Sequence, residues 1–329
     1  MLNLQEATNA IKNDFSKTKI LIVGDVMLDR YYFSDVHRIS PESPVPIAHV
    51  QRVEDRSGGA ANVSRNIAHL GAVVSLLTVA GQDEVLHTLE GLLKKDHVQL
   101  IAVTSLDVKT TMKLRVVSKN HQLLRVDFEE DISARKDLQQ ELLESFKQIV
   151  GDYDLVIFSD YAKGVLANVE IMLGICRQYG IRTLVDPKGS DYSKYCNANI
   201  ITPNLSELKV AVSNFNSEGE MNEKVYELIK NLNLAYLLLT KSDKGVELFN
   251  LDEDGTSLKS QQFPASAKTV YDVSGAGDTV IAVLGILLAT GVDINTAVFV
   301  ANVAAGIVVS KFGTATVSVQ EILQEMQDL

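Results

Sequence analysis

Short apolar runs alternate with segments of helical periodicity along most of this chain. The apolar runs predict strands over residues 19–23, 73–79, 98–103, 154–158, 183–185, 199–202 and 235–240. The periodic segments predict helices over residues 60–70, 84–95, 135–150, 169–179, 205–213 and 220–231. Strands that alternate with helices of about 10–15 residues are typical of an α/β protein with a parallel sheet and helices on both faces.

Two segments depart from this rhythm. Residues 31–53 contain three prolines among alternating positions, and residues 110–128 alternate apolar and polar side chains without a helical period. Both patterns predict antiparallel strands outside the main sheet. Because the two segments flank the predicted helix 60–70, we expect them to meet in space as a small β lid.

The last third of the chain is the most apolar part. After Gly255 the pattern predicts a short strand and then two helices, over 276–290 and 295–311, that are rich in Ala, Gly and Val. Such helices pack closely inside an α/β core. Since no internal repeat or low-complexity linker interrupts the chain, we expect one large domain over residues 1–329 that carries the lid.

Charge and hydropathy exclude several classes of protein. The net charge of −11 lacks the basic footprint that nucleic-acid binding requires. The apolar stretch 279–292 is shorter than the roughly 18–20 residues that cross a bilayer. The short apolar run 20–23 is followed at once by Gly24 and Asp25, which is not the pattern of a signal peptide. We therefore expect a cytoplasmic protein that binds neither nucleic acid nor membranes.

The strongest chemical signal is the segment Asp-Val-Ser-Gly-Ala-Gly-Asp, residues 272–278. Its glycines allow a ligand to approach the backbone, and the N–H groups of Gly275, Ala276 and Gly277 begin a helix, where unpaired donors and the helix dipole favour an anion. Asp278 can there accept a proton from a substrate hydroxyl while these N–H groups stabilise a phosphoryl group in transfer. The alternative is that Asp278 only stabilises the helix N-terminus.

A second signal is Gly58-Gly59-Ala60-Ala61-Asn62, followed by Ser64, Gly71 and Gly81. A Gly-Gly turn before a helix lets backbone amides and the Asn62 side chain reach a polyhydroxylated ligand. Alone it is a weak signal, because such a turn is often only a turn.

Together the two segments resemble both signatures of the ribokinase-like (PfkB) carbohydrate kinases, in every spacing and in the expected order. The resemblance covers essentially the whole chain. It implies a three-layer ribokinase-like fold with a mainly parallel central sheet and a β lid, and an ATP-dependent kinase that uses Mg²⁺. Ala60 is a departure, since ribokinase itself commonly has a lysine there, and this argues against a plain pentose as the substrate.

The resemblance also implies roles for individual residues. Asp278 is the expected catalytic base, with Gly275, Ala276 and Gly277 as the anion site. The residues expected to hold the sugar are Asp29, Gly58, Gly59 and Asn62. Asn204 and Glu207 match the motif that acts on Mg²⁺ and phosphate through water, although the same pair could be a helix cap with an acidic first turn. The remaining expected nucleotide contacts are Lys188, Thr240, Ser242, Gly245 and Asn302. Asp272, Ser274 and Gly313 lie where many relatives hold a monovalent cation such as K⁺.

Six segments, among them "RISPESPVP", "SDYAKG" and "DPKG", resemble the kinases of this family that phosphorylate the C1 hydroxyl of D-glycero-D-manno-heptose 7-phosphate for lipopolysaccharide synthesis. In many bacteria that kinase is fused to a nucleotidyltransferase with a His-x-Gly-His motif. The six histidines here form no such motif, so we expect no nucleotidyltransferase domain.

A substrate that already carries a phosphate needs cations. The candidates lie on the predicted lid or after predicted strands: Arg38, Lys113, Arg115, Arg125, Lys163 and Lys188. Each could instead belong to a solvated charged surface.

Several alternatives stay open. Another kinase of the family could act on fructose or tagatose phosphate, ribose or a nucleoside, and a non-catalytic sugar-phosphate sensor could share the scaffold. A dehydrogenase is excluded, because no Gly-x-Gly-x-x-Gly turn follows the first strand. By resemblance, and because exposed lid edges need cover, we also expect a homodimer formed through the lid.

Overall fold

The structure, a computed structural model, describes residues 4–119, 121–267 and 269–328. Its main sheet has nine strands in the order β13-β12-β11-β10-β9-β8-β1-β4-β5. They are β1 (Lys19–Gly24), β4 (Val73–Gly81), β5 (Gln99–Ser105), β8 (Leu155–Ser159), β9 (Arg182–Asp186), β10 (Ile200–Ile201), β11 (Tyr236–Thr240), β12 (Val246–Leu251) and β13 (Leu258–Phe263). All neighbouring pairs are parallel except β11–β12 and β12–β13, which are antiparallel.

Ten α-helices accompany these strands in the described residues. They are α1 (Leu4–Ile11), α2 (Ala60–His69), α3 (Glu84–Lys95), α4 (Lys136–Ile149), α5 (Val169–Tyr179), α6 (Leu205–Ala211), α7 (Glu218–Leu232), α8 (Ala276–Ala289), α9 (Ile294–Val308) and α10 (Val319–Gln327). Within the described part of the chain, no helix is both long and apolar enough to cross a membrane.

The sheet is covered on both faces, as the alternation along β1 shows. Ile20 and Ile22 pack with α1, α2, α8, α9 and α10 in one apolar core, and Leu21 and Val23 pack with α4, α5 and α7 in the other. Successive side chains of a strand point to opposite faces, so a strand that is apolar throughout requires cover on both sides. The predicted α/β class and its three layers are confirmed.

A second sheet has four strands in the order β3-β2-β6-β7. They are β2 (Val26–Ile39), β3 (Pro46–Gly59), β6 (Thr111–Ser118) and β7 (His121–Phe128). The predicted lid is therefore present and reaches further toward the main sheet, because β2 begins directly after Asp25 and β3 ends at Gly59. Its two hairpins, β2–β3 and β6–β7, are antiparallel, and the inner strands β2 and β6 run parallel. Asn120, in the predicted segment 110–128, lies outside the described residues.

Three elements were not predicted from the sequence: α1, β12 and α10. The two terminal helices are short, with 8 and 9 residues, and they depend on packing against α9 rather than on a long periodic pattern. Only five residues separate β11 from β12: Lys241, the 3₁₀-helix Ser242–Lys244 and Gly245. Strand β12 turns back along β11 as a hairpin, so the parallel rhythm of the preceding strands gives no indication of it.

Candidate active site

Polar residues collect where the parallel strands of the main sheet end. Asp25 follows β1, Asp160 and Tyr161 follow β8, Asp186 ends β9, and Thr240 ends β11. The carboxyl ends of parallel strands share one edge, where open α/β sheets bind ligands. The first turns of α2 and α8 lie at the same edge, because Asn62 and Asp278 contact each other there.

Asp278 lies in the first turn of α8 and is 5% exposed. Its Oδ2 accepts a hydrogen bond of 2.7 Å from Asn62 Nδ2, and its Oδ1 accepts one of 2.8 Å from the Tyr161 hydroxyl. Burial raises the pKa of Asp278, the two hydrogen bonds oppose that rise, and the charge of Asp29 adds to it. The carboxylate is thus fixed in orientation and more basic than an exposed aspartate.

The turn before α8 carries free backbone donors. Gly275 adopts φ +80°, and a Cβ on it would lie 2.9 Å from Asn62 Nδ2, so glycine is required there. Among the described residues the N–H groups of Gly275 and Gly277 have no acceptor, whereas the N–H of Ala276 donates to the carbonyl of Val273 at 3.3 Å. Two donors beside Asp278 are therefore available to an anion.

The Gly-Gly turn lies against the same carboxylates. A Cβ on Gly58 would come within 2.5 Å of Asp29 Oδ2, and one on Gly59 within 2.5 Å of the Asp25 carbonyl oxygen. Asn62 is fully buried, and its Oδ1 has no hydrogen-bond partner among the described residues. A buried amide oxygen without a donor is costly, and a ligand hydroxyl would satisfy it.

Asp29 lies on β2 with basic neighbours on the adjacent strands. Its Oδ1 accepts a 2.5 Å bond from Arg115 on β6, and Lys113 stands beside it in register. Burial lowers the pKa of Lys113, while the charges of Asp29 and Asp127 partly offset this. Asp29, Lys113 and Arg115 therefore form one charged cluster on the inner face of the lid.

Three of the other predicted cations are paired with acidic residues other than Asp29. Arg125 donates to Asp127 on exposed β7, Lys163 pairs with Glu129 at 2.8 Å, and Lys188 pairs with Glu207 at 2.7 Å. Arg125 lies directly across from Arg115, so it belongs to the outer edge of the same cluster. Arg38, near the end of β2, is exposed and has no ion-pair partner in the described part of the chain.

An open cleft of about 1010 Å³ lies beside the first turn of α8. It brings together predicted nucleotide contacts from four elements: Asn204, Thr240, Ser242, Gly245 and Asn302, together with Ala276 and Gly277 of the anion site. Its apolar walls include Val246, Val280 and Ala305. A size at the upper end of the small-molecule range and a mixed lining suit a nucleotide. Glu207 and Lys188 lie outside this lining.

Asn204 and Glu207 form a capping box at the start of α6. Asn204 Oδ1 accepts bonds from the Glu207 N–H and the Ser206 hydroxyl, while Glu207 Oε2 accepts from the Asn204 N–H. Nearby Asp186 has no hydrogen-bond partner for its carboxylate among the described residues. Burial raises the pKa of Asp186 well above its usual value, and the charges of Asp278 and Glu207 add to this. A cation would relieve this local excess of negative charge.

Asp272 connects two loops beside the anion site. Its Oδ1 accepts from the Ser274 N–H and its Oδ2 from the Gly313 N–H, each at 2.9 Å. Burial favours the neutral form, but these hydrogen bonds leave the pKa of Asp272 below its usual value. The three residues predicted to hold a monovalent cation are thus together, with a charged carboxylate between them.

Sequence reasoning assigned no role to Tyr161, Asp186 and Asp25, which the structure brings to the site. Tyr161 and Asp186 lie in the segments "SDYAKG" and "DPKG", which indicate a resemblance to heptose 7-phosphate kinases but predict no role for either residue. Asp25 is 1% exposed and accepts bonds from the N–H groups of Tyr161, Lys163 and Val165. The available signal was their position directly after, or at the end of, a predicted parallel strand.

Known proteins with similar structures have the same fold. The structure of phosphofructokinase-2 from Escherichia coli in complex with potassium matches this one with a TM-score of 0.76 and 19% sequence identity. The match covers 95% of this chain and 99% of that one. Ribokinase from Arabidopsis thaliana, complexed with ribose and ATP, gives a TM-score of 0.74 at 18% identity over 94% of this chain and 99% of that one. These likenesses confirm the ribokinase-like fold.

Sequence comparison is more specific. The chain is 47% identical over 309 residues to the bifunctional protein HldE of Histophilus somni, which covers 94% of this chain and 63% of that protein. The corresponding protein of Proteus mirabilis is 44% identical over 94% of this chain and 64% of its own length. The chain therefore spans less than two thirds of these relatives.

The family follows from a match over nearly the whole sequence. Residues 17–321 match the family described as pfkB family carbohydrate kinase. This match includes both glycine-rich segments, the lid and the cleft described above. The chain belongs to the pfkB family of carbohydrate kinases, which confirms the enzyme class predicted from its sequence, an ATP-dependent carbohydrate kinase.

Proposed function

We propose that this chain transfers the γ-phosphoryl group of ATP to the C1 hydroxyl of D-glycero-D-manno-heptose 7-phosphate and forms the 1,7-bisphosphate, a precursor of ADP-heptose for lipopolysaccharide. The observation that carries the chemistry is the buried Asp278 carboxylate, placed beside the free N–H groups of Gly275 and Gly277 at the end of α8 that borders the cleft. The choice of sugar rests on the resemblance of six sequence segments to heptose 7-phosphate kinases.

The chain's own residues account for the proton and the charge. Asp278 accepts the proton of the C1 hydroxyl, and its raised pKa brings it closer to neutral pH, where a general base is most effective. Two of the roughly four lone-pair positions on its carboxylate are taken by Asn62 and Tyr161. The N–H groups of Gly275 and Gly277 stabilise the transferring phosphoryl group.

Asp186 and Glu207 suit a magnesium ion held through water. Mg²⁺ keeps several waters in proteins and is bound by one or two carboxylates with substrate phosphates, and Asp186 offers a carboxylate without a hydrogen-bond partner among the described residues. Bound with ATP, the ion would neutralise phosphate charge. Asn204, whose Oδ1 already accepts two bonds, orients Glu207, and Lys188 pairs with the same carboxylate. A monovalent cation site at Asp272, Ser274 and Gly313 remains part of the proposal.

The inner face of the lid supplies cations for the phosphate at C7. Across residues 27–33 of β2 and the positions in register with them, one face carries five basic side chains and three acidic ones: Arg52, Arg56, Lys113, Arg115 and Arg125 with Asp29, Glu54 and Asp127. Basic excess on this face contrasts with the acidic chain as a whole, so it would attract an anionic sugar locally. Lys163 lies in the loop after β8 and would approach the substrate from the main sheet.

The proposal is tested by ADP release with ATP, Mg²⁺ and a panel of sugars. The panel contains heptose 7-phosphate, fructose 1-phosphate, fructose 6-phosphate, ribose and adenosine. Release with heptose 7-phosphate alone, together with a 1,7-bisphosphate product by NMR, is the expected result. Release with another sugar would retain the kinase and replace its substrate. No release from folded protein that binds ATP would favour a sugar-phosphate sensor.

A further inference from the structure

We propose that Tyr161 is a positioning residue for the base: hydrogen bonds hold its loop in place, and its hydroxyl fixes one oxygen of the Asp278 carboxylate. This inference rests on the proposed role of Asp278. It assigns a function to a residue that lies outside both glycine-rich segments. Its evidence is the geometry of the loop 160–165, which joins β8 to the segment before α5.

The Tyr161 side chain lies between the base and the sugar-binding turn. Its hydroxyl donates to Asp278 Oδ1 at 2.8 Å, while Asn62 Nδ2 donates to Oδ2 at 2.7 Å. A Cβ on Gly59 would meet the Tyr161 ring at 3.4 Å, so the ring packs against the turn. With a donor on each oxygen, rotation of the carboxylate breaks a hydrogen bond in either direction, which leaves one orientation toward the substrate.

The loop that carries Tyr161 is held by two buried aspartates. Asp25 accepts from the N–H groups of Tyr161, Lys163 and Val165, so one carboxylate holds every second residue of the loop. Asp160 accepts from the N–H of Ala162, the Lys194 ammonium and the Tyr195 hydroxyl. These six donors fix a short loop, in which only Ala162 is exposed, far more firmly than a connection requires.

The same loop contains backbone strain. Ala162 adopts φ +56°, a left-handed conformation that costs a residue with a Cβ about 1 kcal/mol or more. Gly164 adopts φ +102°, and a Cβ there would lie 2.3 Å from the N of Ser133. Strain of this kind persists where surrounding contacts over-determine the backbone, and it is common at functional sites. Here the contacts and the strain together direct Tyr161 toward Asp278.

Other ionisable groups around Asp278 come from the lid and the main sheet. Burial and, after it, the charge of Asp29 on β2 raise the pKa of Asp278. Asp186, at the end of β9, is the other carboxylate nearby, and Asp278 raises the pKa of Asp186 in turn. Arg115 and Lys188 are paired to Asp29 and Glu207 respectively. Asn62 and Tyr161 are the two groups whose hydrogen bonds favour the charged base, and of the two only Tyr161 comes from outside the sugar-binding motif.

The deciding experiment is a ¹³C NMR titration of aspartate carboxyl groups in the full chain, with Asp278 assigned by comparison with Asp278→Asn. In Tyr161→Phe the pKa of Asp278 should rise by about one unit or more, because a hydrogen bond to a charged group is lost. Tyr192→Phe is the matched control, since the buried Tyr192 hydroxyl has no partner among the described residues and its removal should leave the titration unchanged. An identical titration in Tyr161→Phe and wild type would overturn the inference.

Kinetics give an independent reading where heptose 7-phosphate is a substrate. Tyr161→Phe should lower kcat about tenfold with little change in KM, and should move the acidic limb of the pH profile upward. Replacement of Tyr161 by 3-fluorotyrosine retains the hydroxyl as a stronger hydrogen-bond donor. The acidic limb of the pH profile should then shift to lower pH, and the pKa of Asp278 measured by NMR should decrease. Inactive wild-type protein would reject the proposed function alone, because the titration requires no turnover. A normal kcat and pH profile in Tyr161→Phe would contradict the inference.

Discussion

At the Asp278 carboxylate, the proposed role as a catalytic base and the stability of the fold make opposite demands. Burial makes the charged form costly, and hydrogen bonds from Asn62 and Tyr161 offset only part of that cost, since the pKa of Asp278 remains raised. A raised folded-state pKa means that the charge destabilises the fold at neutral pH. A base near neutrality is nevertheless what proton transfer needs.

Asp278→Asn separates these two effects. We expect turnover to fall at least about a hundredfold, because the amide cannot accept the proton, while the thermal midpoint stays equal or rises since a buried charge is removed. ADP release and thermal unfolding at neutral pH measure the two quantities. Asp254→Asn, in the exposed turn before β13, is the control and should change neither. Near-normal turnover of a pure Asp278→Asn preparation would reject Asp278 as the base.

Gly58 leaves no room for a larger side chain beside Asp29. In Gly58→Ala the added Cβ would lie 2.5 Å from Asp29 Oδ2, so Asp29 must move away from the position that we propose holds sugar hydroxyls. Since displacements of about 1 Å can cost up to a hundredfold, we expect KM for the sugar to rise about ten- to a hundredfold and KM for ATP to remain unchanged. Steady-state kinetics with each substrate varied provide the measurement.

Gly174→Ala is the matched control for Gly58→Ala. Gly174 lies in α5, and a Cβ there would meet nothing within 4 Å. Alanine is the better helix former by up to about 1 kcal/mol, so this variant should be slightly more stable and equally active. A sugar KM that is the same in Gly58→Ala and Gly174→Ala would contradict the placement of Asp29 in the sugar site.

The sequence predicts some residues of the candidate site and not others, for a physical reason. Asp278, Gly275 and Asn62 lie in segments whose glycines and helix starts imply an anion site, and the structure joins them directly. Tyr161 and Asp186 reach the same edge only because β1, β8 and β9 are neighbours in the sheet, and strand order is not contained in local spacing. The pairing of Lys188 with Glu207 likewise depends on the end of β9 meeting the start of α6.

Among the elements, the loop 160–165 should make stability depend on pH through Asp25. Burial and the charge of Asp160 raise the pKa of Asp25 to about 6. The folded state therefore retains a proton that the unfolded chain releases near pH 4. The stabilisation from this proton is complete below about pH 4 and is lost as the pH rises through about 6, and two pKa units correspond to a loss on the order of 3 kcal/mol.

Asp25→Asn removes this titration. The free energy of unfolding of wild type minus that of the variant should therefore be largest near pH 4 and decrease by on the order of 3 kcal/mol by pH 7. Urea unfolding at both pH values measures the difference, and subtraction of the variant cancels most other titrating groups. A difference that is constant with pH, or one that increases toward pH 7, would show that Asp25 has no raised pKa.

Some elements could be read from the sequence and others could not. The bounds of α3 and α5 were predicted to the residue, because each is an amphipathic helix between clear turn signals. The lid was predicted as a set of strands, but its parallel inner pair, β2 with β6, was not, since residues 39 and 111 are joined through β3, α2, β4, α3 and β5. Pairing over such a distance is set by tertiary packing rather than by local pattern.

For the whole molecule, the two faces of the lid have opposite character. The inner face carries the charged cluster, while the outer face carries apolar side chains on the two edge strands, β3 and β7. Val53, Leu124, Val126 and Phe128 are 54%, 56%, 37% and 46% exposed, and every residue of the edge strand β7 is exposed. An apolar face with an unpaired edge is a surface that native proteins usually cover. We propose that a second copy of the chain covers it.

Val126→Lys tests this homodimer, because it places a charge in the middle of the proposed interface without touching the inner face. We expect wild type to show twice the 36.0 kDa mass of the chain by light scattering at micromolar concentration, and Val126→Lys to show the single mass. Ile171→Lys, on α5 at 51% exposure, is the matched control and should remain dimeric, since that side chain is apart from the lid. A single mass for wild type would reject the dimer. A dimer that persists in Val126→Lys would move the interface away from the outer face of the lid.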